Sequence, residues 1–220
     1  EAGADVLEPD LQMTADGVLV AFHDETLERT ARHLDGTPAR GLVGAHTLDS
    51  IQALEVGSWF NQANPERARP AYAPESGVPL RIPTLDEVLQ RWGPKVRWYP
   101  ETKAPEAAPG MEEALVRVLE RHGLVPPGTP LAEGSPPRVY VQSFSAASLR
   151  RMAELAPGLP RVQLLRRRDV LPGRLGAVLD RVAGVAQGVG PDHRLVNRRF
   201  MEKARARGLF VHPWTVNDPE

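Results

Sequence analysis

Residues 8 to 24, EPDLQMTADGVLVAFHD, place two carboxylates two positions apart, then an Asp-Gly turn, then an apolar run that stops at His-Asp. On a strand, Glu8 and Asp10 project from one face and Pro9 from the other. If Asp16-Gly17 is a two-residue hairpin turn, residue 15 pairs with 18, 14 with 19, and so on, which predicts Asp10 opposite His23. If the segments are instead parallel neighbours joined by a tight return, all three groups lie at C-terminal strand ends, where barrel enzymes keep their chemistry. Two oxygen ligands beside an imidazole suit a hard divalent ion such as Mg²⁺ or Ca²⁺, with the histidine free for proton transfer. A surface hairpin with a carboxylate pair and a strand-end histidine has the same spacing.

Glu101 ends the strand-like run KVRWYPE, and Lys103 lies two residues on, facing the same side. The chain has only three lysines (Lys95, Lys103 and Lys203) against 24 arginines, so its cationic surface is almost wholly arginine. A lysine beside a carboxylate at a strand end is therefore unlike the rest of that surface. Its compact ammonium suits a substrate phosphate or a developing alkoxide, with a plain ion pair as the alternative.

The elements that must hold these groups alternate from residue 80 onward. PTLDEVLQRWG predicts a helix with Thr84 as N-cap, Glu87 as its capping-box partner and Gly93 at the stop. KVRWYPETK predicts a strand, MEEALVRVLERHG a helix, RVYVQSF a strand and SAASLRRMAELAPG a helix capped by Ser145. RVQLL, GRLGAVLDRVAG, VAQGVG, LVNRRFMEKARARG and LFVHPWTV continue the same order. Strands alternating with helices imply a parallel sheet with helical crossovers. No Gly-rich dinucleotide fingerprint follows any strand, so the expectation is an α/β fold, a (β/α)8 TIM barrel incomplete in this chain, as a single domain over 1–220. Residues 30 to 80, rich in Gly, Pro and polar residues with one short helix near LDSIQALEV, read as a loop insertion over the barrel mouth.

Composition bounds the rest. With 28 acidic against 27 basic residues and a net charge of -1, the chain is not built to coat nucleic acid. No apolar stretch approaches the roughly 18 to 20 residues of a transmembrane segment. The absence of cysteine excludes disulfides, thiolate metal sites and a cysteine nucleophile.

These residues resemble a family. GADVLEPDLQMTADGVLVAFHDETLERT is similar to the glycerophosphodiester phosphodiesterases, with their GAD, E-x-D, T-x-DG, HD and L-x-R-T pattern. GSWFN, IPTLDEVL, ETK, QSFS and WTVND resemble further blocks in the family's order, so the resemblance covers nearly the whole chain. It implies a barrel enzyme that cleaves a small-molecule glycerophosphodiester to glycerol 3-phosphate and an alcohol, using a divalent metal (Mg²⁺ or Ca²⁺) and two histidines as acid and base. By position, Glu8, Asp10 and Glu101 look like metal ligands and His23 like one catalytic histidine. Lys103 would contact phosphate, Phe144 would line the pocket and Trp214 would pack on the glycerol side. The family's His-Arg-Gly and Pro-Glu-Asn motifs, which precede GAD, do not occur, nor does a glycine-rich strand after WTVND. The resemblance therefore implies a fragment of an active enzyme, without the second catalytic histidine and the strand that closes the barrel. His33, His46, His122, His193 and His212 stand in no motif that fills that role.

Other features are weaker. Arg166 to Asp169, RRRD, could bind an anion or be a solvated loop; Trp59 and Phe60 could cover substrate or pack a lid; Gln142 and Asn217 could face the pocket. Two other functions compete: a related barrel phosphodiesterase acting on lysophospholipids or phosphoinositides, and a non-catalytic binding barrel.

Overall fold

The computed structural model describes residues 3–73, 77–125 and 137–216. β1 (Val6–Leu7) and β2 (Asp10–Met13) are two halves of one extended run, broken at Pro9, which brings no N–H to a ladder. β3 (Leu19–Ala21) folds back antiparallel on β2. α1 (Leu48–Gln52), α2 (Ser58–Ala63) and α3 (Leu85–Trp92) follow. The predicted strand KVRWYPETK divides at Tyr99-Pro100 into β4 (Arg97–Trp98) and β5 (Glu101–Thr102).

Those four short strands are one ladder. Val6 aligns with Arg97, Leu7 with Trp98, Asp10 with Glu101 and Leu11 with Thr102, a single parallel register across both proline breaks. The amide of Tyr99 donates to the Leu7 carbonyl and that of Glu101 to the Pro9 carbonyl, so the prolines remove donors and leave the acceptors in use.

α4 (Met111–Arg121), β6 (Val141–Ser143), α5 (Ala146–Leu155), β7 (Arg161–Leu165), α6 (Leu175–Ala183), β8 (Gly188–Pro191), α7 (Arg198–Arg205) and β9 (Phe210–Val211) complete the alternation. The main sheet runs β3-β2-β5-β6-β7-β8-β9, and every pairing except β2 with β3 is parallel. It is the expected α/β architecture of parallel strands with helical crossovers, an incomplete barrel whose sheet does not close among the described residues. LFVHPWTV is shorter than predicted as a strand, although a bridge between Asp192 and Trp214 carries the β8–β9 pairing further.

Alternation of side chains separates two faces. Trp98, Val139 and Val141 point outward into a core with Met111, Leu115, Leu119 and Met152 of α4 and α5. Leu165 and Val189 do the same against Val178, Leu179 and Phe200 of α6 and α7. The alternate positions carry Tyr99, Tyr140, Phe210 and His212, which meet edge-on or tilted with ring centroids 4.7–6.0 Å apart. This second face holds the polar site.

The helix boundaries follow local chemistry. Thr84 and Glu87 form the predicted capping box, Ser145 caps α5 and Asn197 caps α7. Residues 30 to 80 differ from expectation. α1 forms where predicted, α2 forms in addition, and the segment packs an apolar cluster of its own, with Val43, Ile51, Leu54 and Ile82 against Val20 and Phe22 of the hairpin. It buries Val20 and Phe22, which share a face of the hairpin with Gln12 and Asp10, while Leu11 and Leu19 on the opposite face pack against α3 and α4; the segment lines neither of the two cavities described below.

Candidate active site

The hairpin register is one residue away from the expected one. Leu11 pairs with Ala21 and Met13 with Leu19, so Asp10 aligns with Phe22, whose amide donates to the Asp10 carbonyl at 2.9 Å. The cause is a three-residue connection, Ala15-Asp16-Gly17, closed by Thr14 N–H donating to Val18 O at 2.9 Å. Gly17 takes φ +79°, which glycine adopts at no cost. Asp16 accepts from the Thr14 hydroxyl at 2.6 Å and from the Leu48 amide at 3.0 Å, which turns it away from the site. Asp10 does not face His23 across the hairpin. The chain leaves the strand after Ala21, and His23 reaches the same cavity by that bend.

Glu8, Asp10 and Glu101 converge although they come from two strands. Parallel register puts Asp10 beside Glu101, and one oxygen from each of the three lies within 4.8 Å of the others. Glu101 is buried, and desolvation first, with Asp10 contributing, pushes its pKa up from 4.5 to about 8. Glu8 is exposed at the rim, yet its carboxylate is crowded by protein on the cavity side; that burial and Asp10 raise its pKa. The Gln142 amide donates to Glu8 Oε1 at 2.6 Å. Lys103 Nζ stands 3.3 Å from both Asp10 Oδ1 and Glu101 Oε1. Burial pulls its pKa down, but Glu101 and Asp10 outweigh that, and it ends above the ordinary lysine value.

Three carboxyl groups crowded around one ammonium gather more acidic oxygens than that ammonium can balance, and burial with mutual repulsion raises the pKa of Glu101 and Glu8. An all-oxygen donor set of this kind fits a hard divalent cation, with Glu8, Asp10 and Glu101 as the residues that could hold it.

Two cavities meet here. One, of about 490 Å³, is lined by the three carboxylates, Lys103 and His23 together with Tyr99, Phe144, His212 and Trp214. The other, of about 570 Å³, shares His23, Glu101, Lys103 and Phe144 and continues past Asp24, Glu25, Glu106 and Arg166. Phe144 meets Trp214 edge-on with centroids 5.7 Å apart, and the Trp214 indole donates to Gly190 O at 2.8 Å. Every predicted site residue therefore borders the first cavity. His23 Nδ1 is 2.7 Å from Asp24 Oδ1, and Arg29 grips the same Asp24 carboxylate.

Three groups join the cavities beyond the predicted site residues. His212 lines the first cavity with Nδ1 3.2 Å from the Tyr99 hydroxyl, and burial lowers its pKa. Tyr99 is raised by burial, then by Tyr140 and Glu8. Both were signalled by parity, since His212 shares a strand face with Trp214 and Tyr99 with Glu101. Arg166, in the RRRD run read as an anion site or a solvated loop, has its charged carbon 3.6 Å from the Phe144 ring centroid and lines the second cavity, while Arg167, Arg168 and Asp169 are exposed. Gln142 faces the carboxylates; Asn217 lies outside the described residues. Trp59 and Phe60 line neither cavity, and His33, His46, His122 and His193 also lie away from both.

The family model described as the glycerophosphoryl diester phosphodiesterase family matches residues 1–220. A glycerophosphodiester phosphodiesterase of Bacillus subtilis is 43% identical over 215 residues, 98% of this chain and 68% of that protein. A crystal structure of a candidate glycerophosphoryl diester phosphodiesterase from Silicibacter pomeroyi superposes with a TM-score of 0.76 at 26% identity, covering 99% of this chain and 75% of the other. An Oleispira antarctica phosphodiesterase, solved in complex with the product sn-glycerol-3-phosphate, shares the fold with a TM-score of 0.72 at 24% identity, over 98% of this chain and 74% of its own.

Proposed function

Because the chain belongs to the glycerophosphoryl diester phosphodiesterase family, we propose that it hydrolyses glycerophosphodiesters to glycerol 3-phosphate and an alcohol, with a divalent cation on Glu8, Asp10 and Glu101 and with His23 moving a proton. The observation that carries this reading is the convergence of those carboxylates, Lys103 and His23 on one cavity. A bound Mg²⁺ or Ca²⁺ would act as a Lewis acid and template for the phosphate and glycerol oxygens.

The chain's own groups do the rest. Lys103, already charged and fixed by two carboxylates, places a compact positive charge where the diester's phosphate oxygens would lie. His23 turns Nδ1 to Asp24, which leaves Nε2 as the atom for proton exchange with the attacking water or the departing alcohol. Phe144 and Trp214 form an aromatic corner for the carbon skeleton of glycerol. Two cavities meeting at His23 and Lys103 suit a diester, which has one arm on each side of its phosphorus.

The test is release of glycerol 3-phosphate from glycerophosphocholine and related diesters with Mg²⁺ or Ca²⁺ supplied, repeated for Glu8→Gln, Glu101→Gln and His23→Ala. Each substitution should lower kcat/KM at least about a hundredfold, the ordinary scale for one proton-transfer or charge-stabilising group. Unchanged activity in Glu101→Gln would reject the cation site, and cleavage of lysophospholipids in place of glycerophosphodiesters would reject the substrate class.

A further inference from the structure

We infer that Arg29 is a positioning residue for His23, clamped between the Asp24 carboxylate and the face of Trp59; this inference rests on the proton-transfer reading of His23 given above. The His23 side chain is 63% exposed, so packing does not fix its ring. The contact that does is Asp24, whose Oδ1 lies 2.7 Å from Nδ1. A carboxylate there holds the proton on Nδ1 and leaves Nε2 without one, provided the carboxylate itself stays in place.

Asp24 lies outside any strand, its backbone flanked by the Phe22–Asp10 and Val43–Glu25 bonds, and Arg29 restrains its carboxylate. The guanidinium forks onto Asp24 through two nitrogens, Nε to Oδ2 and Nη2 to Oδ1, the latter at 2.8 Å. Such a planar fork fixes direction as well as distance. Arg29 is itself 54% exposed, and its charged carbon lies 5.7 Å from the centroid of the Trp59 ring.

Trp59 is anchored in turn. Arg32 and Glu55 pair backbone to backbone with both N–H···O distances 2.8 Å, which fastens α2 to the segment carrying Arg29. The buried Glu55 carboxylate accepts from the Gly57 amide at 2.8 Å, the Ser58 amide at 3.0 Å and the Ser58 hydroxyl. A side chain at Gly57 would strike the Tyr72 backbone, so this junction admits only glycine. The long segment that lines neither cavity thus reaches the proton-transfer group through one arginine.

The experiment compares the full chain with Arg29→Gln, Arg29→Lys and Trp59→Leu. Two-dimensional ¹⁵N spectra report the His23 tautomer without any activity, and kcat and KM are measured on glycerophosphocholine. With the melting temperature retained, Arg29→Gln should convert a single Nδ1–H tautomer to a mixture and lower kcat roughly ten- to hundredfold with little change in KM, the usual size of an outer-shell loss. Trp59→Leu should give a smaller effect in the same direction. If Arg29→Gln fails to fold, Arg29→Lys, which keeps the charge and loses the fork, carries the same expectation. An unchanged tautomer and an unchanged kcat in the folded variants would overturn the assignment. A shifted tautomer in a chain whose parent hydrolyses no glycerophosphodiester would sink the functional reading and leave the positioning intact.

Discussion

Glu101 shows how one residue carries the site's electrostatics. Its pKa, raised from 4.5 to about 8 by burial first, means that the folded metal-free chain keeps a proton that the unfolded chain releases. The sign follows: the contribution to stability is fully present below pH 4.5 and is lost as pH rises through about 8. Urea midpoints of chelator-treated protein should therefore fall across that window, and Glu101→Gln should flatten the slope. A slope of equal size in the variant would place the cause elsewhere. Glu8, Asp10, Glu101 and Lys103 were all named from spacing, because residues two apart on a strand share a face whatever the strand pairs with. Arg166 was read only as part of a run able to bind an anion, because its place over Phe144 depends on a partner more than twenty residues away.

Among the elements, α3 is the most fully written in local chemistry. Thr84 Oγ1 accepts from the Glu87 amide at 3.1 Å, and Glu87 Oε2 accepts from the Thr84 amide at 2.7 Å. Thr84→Ala should cost about 1 kcal/mol, read as a lower denaturant midpoint at unchanged slope, since the capping box closes two orphan donors. No loss in midpoint would mean that packing of Leu85 and Leu89 alone sets the helix start. The hairpin was less legible. Asp16-Gly17 pointed to a two-residue turn, and only the bonds of Asp16 to Thr14 and Leu48 select the three-residue connection. That one-residue shift exchanges the faces of the strands, and so the expected pairing of Asp10 with His23 failed. Pro9 and Pro100 likewise cut the predicted long strands without disturbing their register.

For the whole molecule, the candidate cation site links two strands of a sheet that stays open among the described residues. A divalent ion bound by Glu8, Asp10 and Glu101 binds the folded chain only, so Mg²⁺ or Ca²⁺ at about a hundred times its Kd should stabilise the protein by about 2.7 kcal/mol. Thermal melts with and without cation measure this, and Glu101→Gln should abolish the difference. Equal melting temperatures in the unsubstituted protein would show that the carboxylates hold no ion. The sequence by itself determined the alternation of strands and helices, their caps, and the residues proposed to bind metal, move a proton or meet phosphate, because each depends on periodicity or on neighbours within a few positions. Only the tertiary structure decided the hairpin register, the packing of residues 30 to 80 against Val20 and Phe22 of the hairpin, and the convergence of Tyr99, His212 and Arg166 on the cavities. Those outcomes depend on which distant surfaces must be buried together, a competition among contacts that no local pattern records.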